Sequence, residues 1–199
     1  MAHQLALFGG DAALPDGFRY QTDLISHVEE QLLLRHLPEL PFKEFDFHGF
    51  VGKRRVVSLG WRYDFSKREL EKVCDLPEFL APLRERAAAF AGMRAEAFAH
   101  ALVTEYSPGA GIGWHRDKAV FGDVVGVSLV SPCVFRLRRK RGSAWERASI
   151  TAEPRSAYLL RGPSRTEWEH SIPPVDTLRY SITFRNVRAE ARSAPAPEA

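Results

Sequence analysis

The stretch VVGVSLVSPCVFRLRRK, residues 124–140, contains two short apolar runs on either side of a Ser-Pro pair. Short runs rich in Val, Ile, Tyr and Phe, bounded by turn-forming residues, are typical of β-strands. The pattern recurs in ALVTEY, ERASITAE, SAYLL, TEWEHSI and LRYSITFRNV, at residues 101–106, 146–153, 156–160, 166–172 and 178–187. Seven short strands at this spacing predict a sandwich or a jelly roll.

The first half of the chain has a different sequence pattern. Residues 22–36 place apolar side chains at helical spacing after a Thr or Asp cap, and residues 67–91 predict a second helix that Pro77 and Pro82 interrupt. Residues 42–65 mix five Phe and one Trp with three consecutive basic residues, which is typical of a binding flap. We therefore expect a mainly β (α+β) fold with the helices packed outside the strands.

The 199 residues have the length of one domain. We predict a single domain over 1–188 with its jelly-roll core at about 100–188, and a disordered tail at 189–199, where small residues alternate with proline. No apolar run approaches the roughly 20 residues of a membrane span. Cys74 and Cys133 are too few for a disulfide framework. These features predict a cytoplasmic protein without a membrane partner, and we expect a monomer.

The tripeptide His115-Arg116-Asp117 is a candidate metal-binding pair. On an extended segment, residues i and i+2 face the same side, so both side chains can reach one ion. The pair is weak evidence alone, because His27-Val28-Glu29 fits the same pattern. His170, on a predicted strand, supplies a third ligand; alternatively it is a hydrogen-bonded strand histidine. Two imidazoles and one carboxylate on one face are the ligand set of non-haem Fe(II) oxygenases.

The last predicted strand carries a polar stripe. Side chains along a strand point alternately to its two faces. Over residues 178–185, the residues on the polar face are Arg179, Ser181, Thr183 and Arg185. In an ordinary sandwich this face meets solvent, whereas in a jelly roll that holds a ligand it lines the interior and its arginines bind an acid. Thr104 and Tyr106 share a face of the strand at 101–106; Tyr106 belongs to the core, offers its hydroxyl to an oxyanion, or does both.

Taken together, Tyr106–Gly109, His115–Lys118, His170 and Arg179–Arg185 resemble the AlkB family of Fe(II)- and 2-oxoglutarate-dependent dioxygenases in order and spacing. The resemblance covers roughly residues 45–188 and implies a double-stranded β-helix, a jelly roll, that uses Fe(II), 2-oxoglutarate and O2. The iron ligands that it implies, which form the catalytic centre, are His115, Asp117 and His170. The 2-oxoglutarate contacts that it implies are Thr104, Tyr106, Arg179, Ser181, Thr183 and Arg185.

Two of these assignments are specific. Arg179 matches the arginine that pairs with the far carboxylate of 2-oxoglutarate, and Arg185 matches the arginine near the metal-side carboxylate. The family often has Asn where Thr104 and Ser181 stand. Both replacements keep a hydrogen-bonding oxygen, so we expect 2-oxoglutarate binding to survive.

The resemblance also implies a substrate side. Leu59-Gly60-Trp61 looks like the nucleotide-lid segment of the family, which makes 42–65 a lid-like segment on which Trp61 and Tyr63 stack against a base. The basic clusters Lys53-Arg54-Arg55 and 136–141 are candidates for phosphate contact. Alternatively, both clusters are solvated hairpin edges, because cationic side chains also protect sheet edges.

The implied activity is oxidative demethylation of an alkylated base in DNA or RNA, that is, DNA repair or RNA demethylation. An N-methyl group is hydroxylated, and formaldehyde, succinate and CO2 are released. DNA-repair members commonly carry an acidic residue two positions beyond the metal Asp, where this chain has Ala119. Two alternatives stay open: the same chemistry on a protein side chain or small molecule, and a non-enzymatic cupin-like binding module with structural histidines.

Overall fold

A computed structural model describes residues 14–47, 50–64 and 69–188. The strands of these residues are β1 (Phe18–Gln21), β2 (Lys43–Phe47), β3 (Phe50–Asp64), β4 (Glu69–Cys74), β5 (Phe98–Tyr106), β6 (Ile112–His115), β7 (Phe121–Leu129), β8 (Cys133–Arg141), β9 (Ala144–Ala152), β10 (Ala157–Leu160), β11 (Glu169–Ile172) and β12 (Arg179–Val187). The α-helices are α1 (His27–His36), α2 (Ala81–Ala91) and α3 (Pro163–Thr166). The tail predicted at 189–199 lies outside the described residues.

Two antiparallel sheets form the body of the molecule. The large sheet has the order β1-β10-β7-β12-β5-β3-β2, with β4 paired to β3, and the small sheet has the order β6-β11-β8-β9. Each of the seven strands predicted in the second half of the chain is present, with ends that differ by a few residues. The inner faces of the two sheets enclose a cavity. The predicted jelly roll is therefore confirmed.

The helices α1 and α2 pack on the outer face of the large sheet, as predicted. Leu33 of α1 and Leu83 of α2 share one buried cluster with Val103 and Ile182 of the central strands. The cap of α1 is Ser26 rather than the Thr or Asp before it. The Ser26 side chain accepts from the Glu29 backbone N–H, and the Glu29 carboxylate accepts from the Ser26 backbone, which forms a capping box.

The helix predicted over 67–91 is wrong in its first part. Residues Glu69–Cys74 form β4, which pairs with the end of β3, and α2 begins only at Ala81. The two prolines explain where the helix begins, because the residue before Pro77 is pushed to extended backbone and Pro82 suits a first helical turn. Residues before Pro77 are then available for pairing with a strand that the local pattern does not reveal.

The described residues of the predicted flap at 42–65 include β2 and β3, which pair with each other. From Arg54 to Gly60, β3 pairs with β5 and so belongs to the large sheet. At Gly60 the backbone has a φ of +79°, and a Cβ there would lie 2.1 Å from the Ala99 carbonyl oxygen. Only glycine allows this close approach, and it marks the point where β3 shifts its pairing toward β4.

No helix among the described residues is long and apolar enough to cross a membrane.

Candidate active site

The polar stripe of β12 faces the interior of the jelly roll. Arg179, Ser181, Thr183 and Arg185 are all less than a tenth exposed, and the last three line the cavity. The alternate residues of β12 pack instead against the helices in the outer core. The solvent-facing interpretation of this stripe is therefore wrong, because the small sheet and its connections cover that face.

Strand pairing in the large sheet places residues of β5 beside this stripe, and residues of β3 beside those of β5. Tyr106 of β5 lies opposite Arg179, and Thr104 lies opposite Ser181. On the other side of β5, Arg54 of β3 lies opposite Tyr106. Tyr106 is buried, as the core interpretation predicts, and it also lines the cavity; a contact between its hydroxyl and an oxyanion stays a prediction.

The small sheet brings the candidate metal ligands together. His115 at the end of β6 and His170 on β11 are direct register partners, and their ring centroids lie 4.2 Å apart. Asp117 follows β6, and its Oδ2 lies 3.7 Å from His170 Nε2. Although these side chains converge, no group of three His, Cys, Asp or Glu side chains among residues 14–47, 50–64 and 69–188 stands at metal-binding distances.

The protonation states at this cluster suit a cation. Burial would raise the pKa of Asp117, but Arg185, His170 and His115 hold that pKa well below its usual value, so the carboxylate is ionised. Burial, with the nearby charge of His115, lowers the pKa of His170 to about 3. Burial also lowers the pKa of His115. Neutral imidazoles and an ionised carboxylate are the forms that bind metal.

The hydrogen bonds of this cluster leave one atom of His115 and one of Asp117 available to bind a metal. The Nδ1 of His115 lies 2.9 Å from the Gly113 carbonyl oxygen, so Nδ1 carries the proton and Nε2 keeps its lone pair. Asp117 Oδ2 is buried without a hydrogen-bond partner. A buried carboxylate oxygen without a partner is costly unless a ligand satisfies it. The donor set therefore fits a divalent transition metal such as Fe(II).

A second group of unsatisfied atoms lies on β12. Arg179 is fully buried, and both of its Nη atoms lack a hydrogen-bond partner, while its Nε donates to Ser128 Oγ at 3.2 Å. Its guanidinium lies 4.9 Å from the centroid of the Tyr106 ring. A buried cation without a counter-ion is costly, so this position suits an anionic ligand such as the far carboxylate of 2-oxoglutarate.

Arg185 contacts the metal cluster itself. Its Nε and Nη2 donate to Asp117 Oδ1 at 2.7 and 2.6 Å. Its Nη1 lies 3.4 Å from Nδ1 of His100, a buried residue that the sequence analysis missed. Since His100 has the same parity on β5 as Thr104 and Tyr106, extending their alternation toward the start of the strand would have indicated it.

The basic cluster of β3 separates into three environments. The Lys53 side chain is exposed. Arg54 lines the cavity, and its Nη1 donates to the Gly111 carbonyl at 3.4 Å. Arg55 forms a two-point ion pair with Glu105, with Nε and Nη2 donating at 2.7 and 2.9 Å. Of the three, Arg54 has the place best suited to contact a ligand in the cavity.

The two lid aromatics lie farther along β3. Trp61 is partly buried just past Gly60 and is not among the described residues that line the cavity. The backbone of Tyr63 pairs with Leu70 of β4, and its side chain lies outside the described part of the structure. Instead, Glu44 of β2 lines the cavity and contributes a carboxylate. No sequence motif indicated this residue.

Acidic side chains neutralise most of the second basic cluster. Arg138 pairs with Glu169 at 2.7 Å, Arg139 with Glu146 and Glu167, and Arg141 with Glu146 at 2.9 Å. The guanidinium of Arg138 also lies 4.4 Å from the ring centroids of both Trp114 and Trp145. These ion pairs favour the hairpin-edge interpretation for most of residues 136–141.

The cavity has a volume of about 810 Å³, which is ample for 2-oxoglutarate together with part of a substrate. Jelly roll, inward-facing histidines and buried arginine together define an oxygenase of the double-stranded β-helix class. Residues 21–185 match the family model of the 2OG-Fe(II) oxygenase superfamily. The chain belongs to this superfamily, which in general uses Fe(II), 2-oxoglutarate and O2, and it is an AlkB-like member.

Two curated relatives support this assignment. The chain is 28% identical over 214 residues to the Arabidopsis thaliana "Alkylated DNA repair protein ALKBH8 homolog", a match that covers 88% of this chain and 60% of that protein. It is 30% identical over 161 residues to the Mus musculus "Alpha-ketoglutarate-dependent dioxygenase alkB homolog 7, mitochondrial", a match that covers 74% of this chain and 63% of that protein. The chain thus spans less than two thirds of the length of either relative.

A solved structure has the same fold. The structure of OsALKBH1 superposes with a TM-score of 0.68 at 17% sequence identity, covering 87% of this chain and 98% of that chain.

Proposed function

We propose that this protein is an Fe(II)- and 2-oxoglutarate-dependent oxygenase that removes an N-methyl group from an alkylated base in DNA or RNA. The observation that carries the oxygenase assignment is the pair of unsatisfied buried groups in one jelly roll. Asp117 Oδ2 has no partner beside two neutral imidazoles, and the Nη atoms of Arg179 have none. One group suits a divalent cation and the other suits a carboxylate.

In this mechanism His115, Asp117 and His170 would hold the metal. Iron, when bound with 2-oxoglutarate and O2, supplies the oxidation of a substrate C–H bond. Arg185 keeps Asp117 ionised and donates to its Oδ1, so that Oδ2 is the carboxylate oxygen that would be available to a metal. Arg179 neutralises the far carboxylate of 2-oxoglutarate in a site from which water is largely excluded, where a charge-assisted bond is strong.

The other lining side chains orient and enclose the reactants. The hydroxyls of Thr104, Ser181 and Thr183 face the cavity from adjacent positions of β5 and β12 and can donate to a bound carboxylate. Phe121 and Phe135 form an apolar part of the cavity wall, which limits the access of water to the reaction.

A methylated base is the substrate that we favour. The name of the Arabidopsis thaliana relative refers to alkylated DNA repair, which is said of that protein. In this chain, Arg54 brings a cation into the cavity and Lys53 lies exposed beside it. A phosphate next to an extruded base carries the charge that these two residues would recognise.

The second candidate is the same oxidation of a protein side chain or small molecule. It is favoured by the ion pairs of Arg55 with Glu105 and of Arg138 with Glu169, which reduce the positive charge available for a polynucleotide. The cytoplasmic location and the monomeric state also remain predictions.

The test combines cosubstrate turnover with mass spectrometry. Purified protein with Fe(II), 2-oxoglutarate and O2 is incubated with methylated DNA and RNA oligonucleotides, and succinate, formaldehyde and the mass of each oligonucleotide are measured. We expect loss of a methyl group from at least one oligonucleotide, with one formaldehyde per methyl removed. Succinate formation without demethylation of any oligonucleotide would overturn the substrate and leave the oxygenase assignment; no binding of 2-oxoglutarate would overturn both.

A matched pair of variants tests the cationic contact. Arg54→Ala removes the cavity-lining arginine, and Arg94→Ala removes an exposed arginine that pairs with Glu96. We expect Arg54→Ala to weaken binding of a single-stranded oligonucleotide several-fold and to reduce its salt dependence, with Arg94→Ala unchanged. Equal affinities for the two variants would contradict the assignment of Arg54.

A further inference from the structure

Arg165 of α3 is a buried cation that the proposed mechanism does not use. Only 5% of the residue is exposed, and no carboxylate pairs with it among residues 14–47, 50–64 and 69–188. Burial lowers the pKa of Arg165, and the charge of Asp117 is the strongest factor that opposes this shift. A buried guanidinium is costly unless hydrogen bonds satisfy it, so the groups that accept from Arg165 indicate what it holds in place.

Three hydrogen bonds join Arg165 to one turn of the backbone. Its Nε donates to the Gly122 carbonyl at 2.9 Å, and its Nη2 donates to the carbonyls of Lys118 and Phe121 at 2.6 and 2.9 Å. The backbone N–H of Phe121 also donates to the Lys118 carbonyl, at 3.0 Å, which closes the turn. Since this turn begins at the residue after Asp117, Arg165 fixes the backbone on the C-terminal side of that carboxylate.

The residue before Asp117 is joined to the same helix. Arg116 Nη1 donates to the Thr166 carbonyl oxygen at 3.1 Å. The side chain of Arg116 therefore bonds to the backbone of α3, whereas the side chain of Arg165 bonds from α3 to the backbone after Asp117. Both chain neighbours of Asp117 are thus attached to α3.

The helix α3 is itself well anchored. Ser164 is fully buried, its backbone N–H donates to the Asp16 carbonyl at 2.9 Å, and its Oγ accepts from the backbone N–H of Arg161 at 3.0 Å. Only three residues separate the end of α3 from His170 of β11, and Trp168 among them is buried. A fixed, short connection therefore leads from the segment around Asp117 to His170.

Strand pairing does not provide this connection. His115 at the end of β6 is the register partner of His170, whereas Asp117 lies beyond the end of β6 and has no register partner on β11 in the described structure. The 3.7 Å separation of Asp117 Oδ2 from His170 Nε2 must therefore be kept by contacts outside the sheet. The hydrogen bonds of Arg165 and Arg116 are contacts of this kind.

We propose that Arg165 is a positioning residue of the metal site, which holds the Asp117 carboxylate in place relative to the His170 imidazole by fastening the turn after Asp117 to α3. Arg116 is the weaker, solvent-exposed part of the same attachment. The inference rests on the proposed function in taking Asp117 and His170 as metal ligands.

The first test measures metal affinity. Mn(II) is titrated by calorimetry into the metal-free wild type, Arg165→Met and Arg165→Lys, at a temperature at which circular dichroism shows that each protein is folded. We expect Arg165→Met to bind Mn(II) about 10- to 100-fold more weakly, as for loss of a group that orients a metal ligand. Arg165→Lys keeps the charge and some of the donors, so it should recover part of the affinity. If Arg165→Met does not fold, Arg116→Ala should still weaken Mn(II) binding several-fold.

Arg161→Met is the matched control, because it separates positioning from loss of stability. Arg161 also donates to a backbone carbonyl, that of Ala91, and it pairs with Asp123, but it does not contact the turn after Asp117. We expect this variant to lower the Tm and to keep the Mn(II) affinity. A loss of affinity in Arg165→Met no larger than that in Arg161→Met would overturn the role of Arg165.

Hydrogen exchange of the metal-free protein gives a readout without any metal. We expect Arg165→Met to accelerate exchange of the backbone amides at 116–122 and to leave those of α1 unchanged. Equal acceleration in both segments would show a general loss of stability and would overturn the positioning role alone. Absence of Mn(II) binding in the wild-type protein would overturn the proposed function as well.

Discussion

Replacing Arg179 by Met should strengthen or preserve the fold and abolish cosubstrate binding. Met keeps most of the aliphatic volume of the side chain and removes a fully buried guanidinium whose two Nη atoms have no partner. Each unsatisfied buried donor costs about 1–3 kcal/mol. The substitution also removes the Nε hydrogen bond to Ser128 and the contact with the Tyr106 ring, each worth about 1 kcal/mol. The free energy of unfolding without ligand should therefore stay unchanged or rise by up to about 4 kcal/mol.

The effect on binding has the opposite sign. Two charge-assisted hydrogen bonds from Arg179 to a carboxylate contribute at least about 3 kcal/mol, so their loss weakens the Kd for 2-oxoglutarate roughly 100-fold. Urea unfolding without ligand measures the first quantity, and calorimetric titration of Mn(II)-loaded protein measures the second.

Arg161→Met is the matched control for Arg179→Met. Arg161 pairs with Asp123 at 2.6 Å and donates to the Ala91 carbonyl at 2.8 Å, so it already has its partners. We expect Arg161→Met to lose about 1 kcal/mol of stability and to keep 2-oxoglutarate affinity. The reasoning would be refuted if Arg179→Met lost as much stability as the control, or if it bound 2-oxoglutarate within about three-fold of wild type.

Four further outcomes follow from single residues. Asp117→Asn should lower Mn(II) affinity by at least ten-fold in calorimetry, because the amide lacks the charge that the cluster needs; unchanged affinity would exclude Asp117 as a ligand. Glu105→Gln should cost about 2 kcal/mol in urea unfolding near neutral pH, because Glu105 is buried and accepts from Arg55 and from the Tyr180 hydroxyl. Since those bonds hold the folded-state pKa of Glu105 below 4.5, this stabilisation is present above that pH and is lost as the pH falls through the lower folded-state pKa; a gap between wild type and variant that stayed constant would contradict this linkage. Gly60→Ala should cost at least about 2 kcal/mol, because a Cβ would lie 2.1 Å from a carbonyl oxygen at a φ of +79°; a wild-type Tm would show that β3 takes another path there. Ser26→Ala should cost about 1 kcal/mol through the lost cap of α1, whereas Ser26→Asp should restore it.

The local sequence pattern was sufficient to predict where the strands lie and which residues share a face of β12. Short runs rich in Val, Ile, Tyr and Phe between turn-forming residues located each of the seven strands from residue 100 onward, and the side chains of a strand alternate between its two faces. The same alternation placed Arg179 and Arg185 on one face and Tyr180 on the other. It left open whether that polar face met solvent or a ligand, since both interpretations have the same periodicity.

The local sequence pattern did not predict the structure where a strand or side chain pairs with residues that are distant in the chain. Residues Glu69–Cys74 look helical on their own, yet they form β4 because the extended end of β3 offers a strand edge. The sequence leaves the basic clusters open between phosphate contacts and solvated hairpin edges, and it does not reveal that Arg55 pairs with Glu105, fifty positions away. A charge run shows where cations are concentrated but not which carboxylates the fold brings beside them.

The sequence by itself determined the jelly roll and the order of its motif residues, because strand periodicity and motif spacing are properties of neighbouring residues. Only the tertiary structure decided which buried atoms of the site remain without partners: Asp117 Oδ2 and the Nη atoms of Arg179. Burial and hydrogen bonding depend on side chains from strands distant in the chain, so no local window contains them. Those unsatisfied atoms now define the tests of metal and cosubstrate binding.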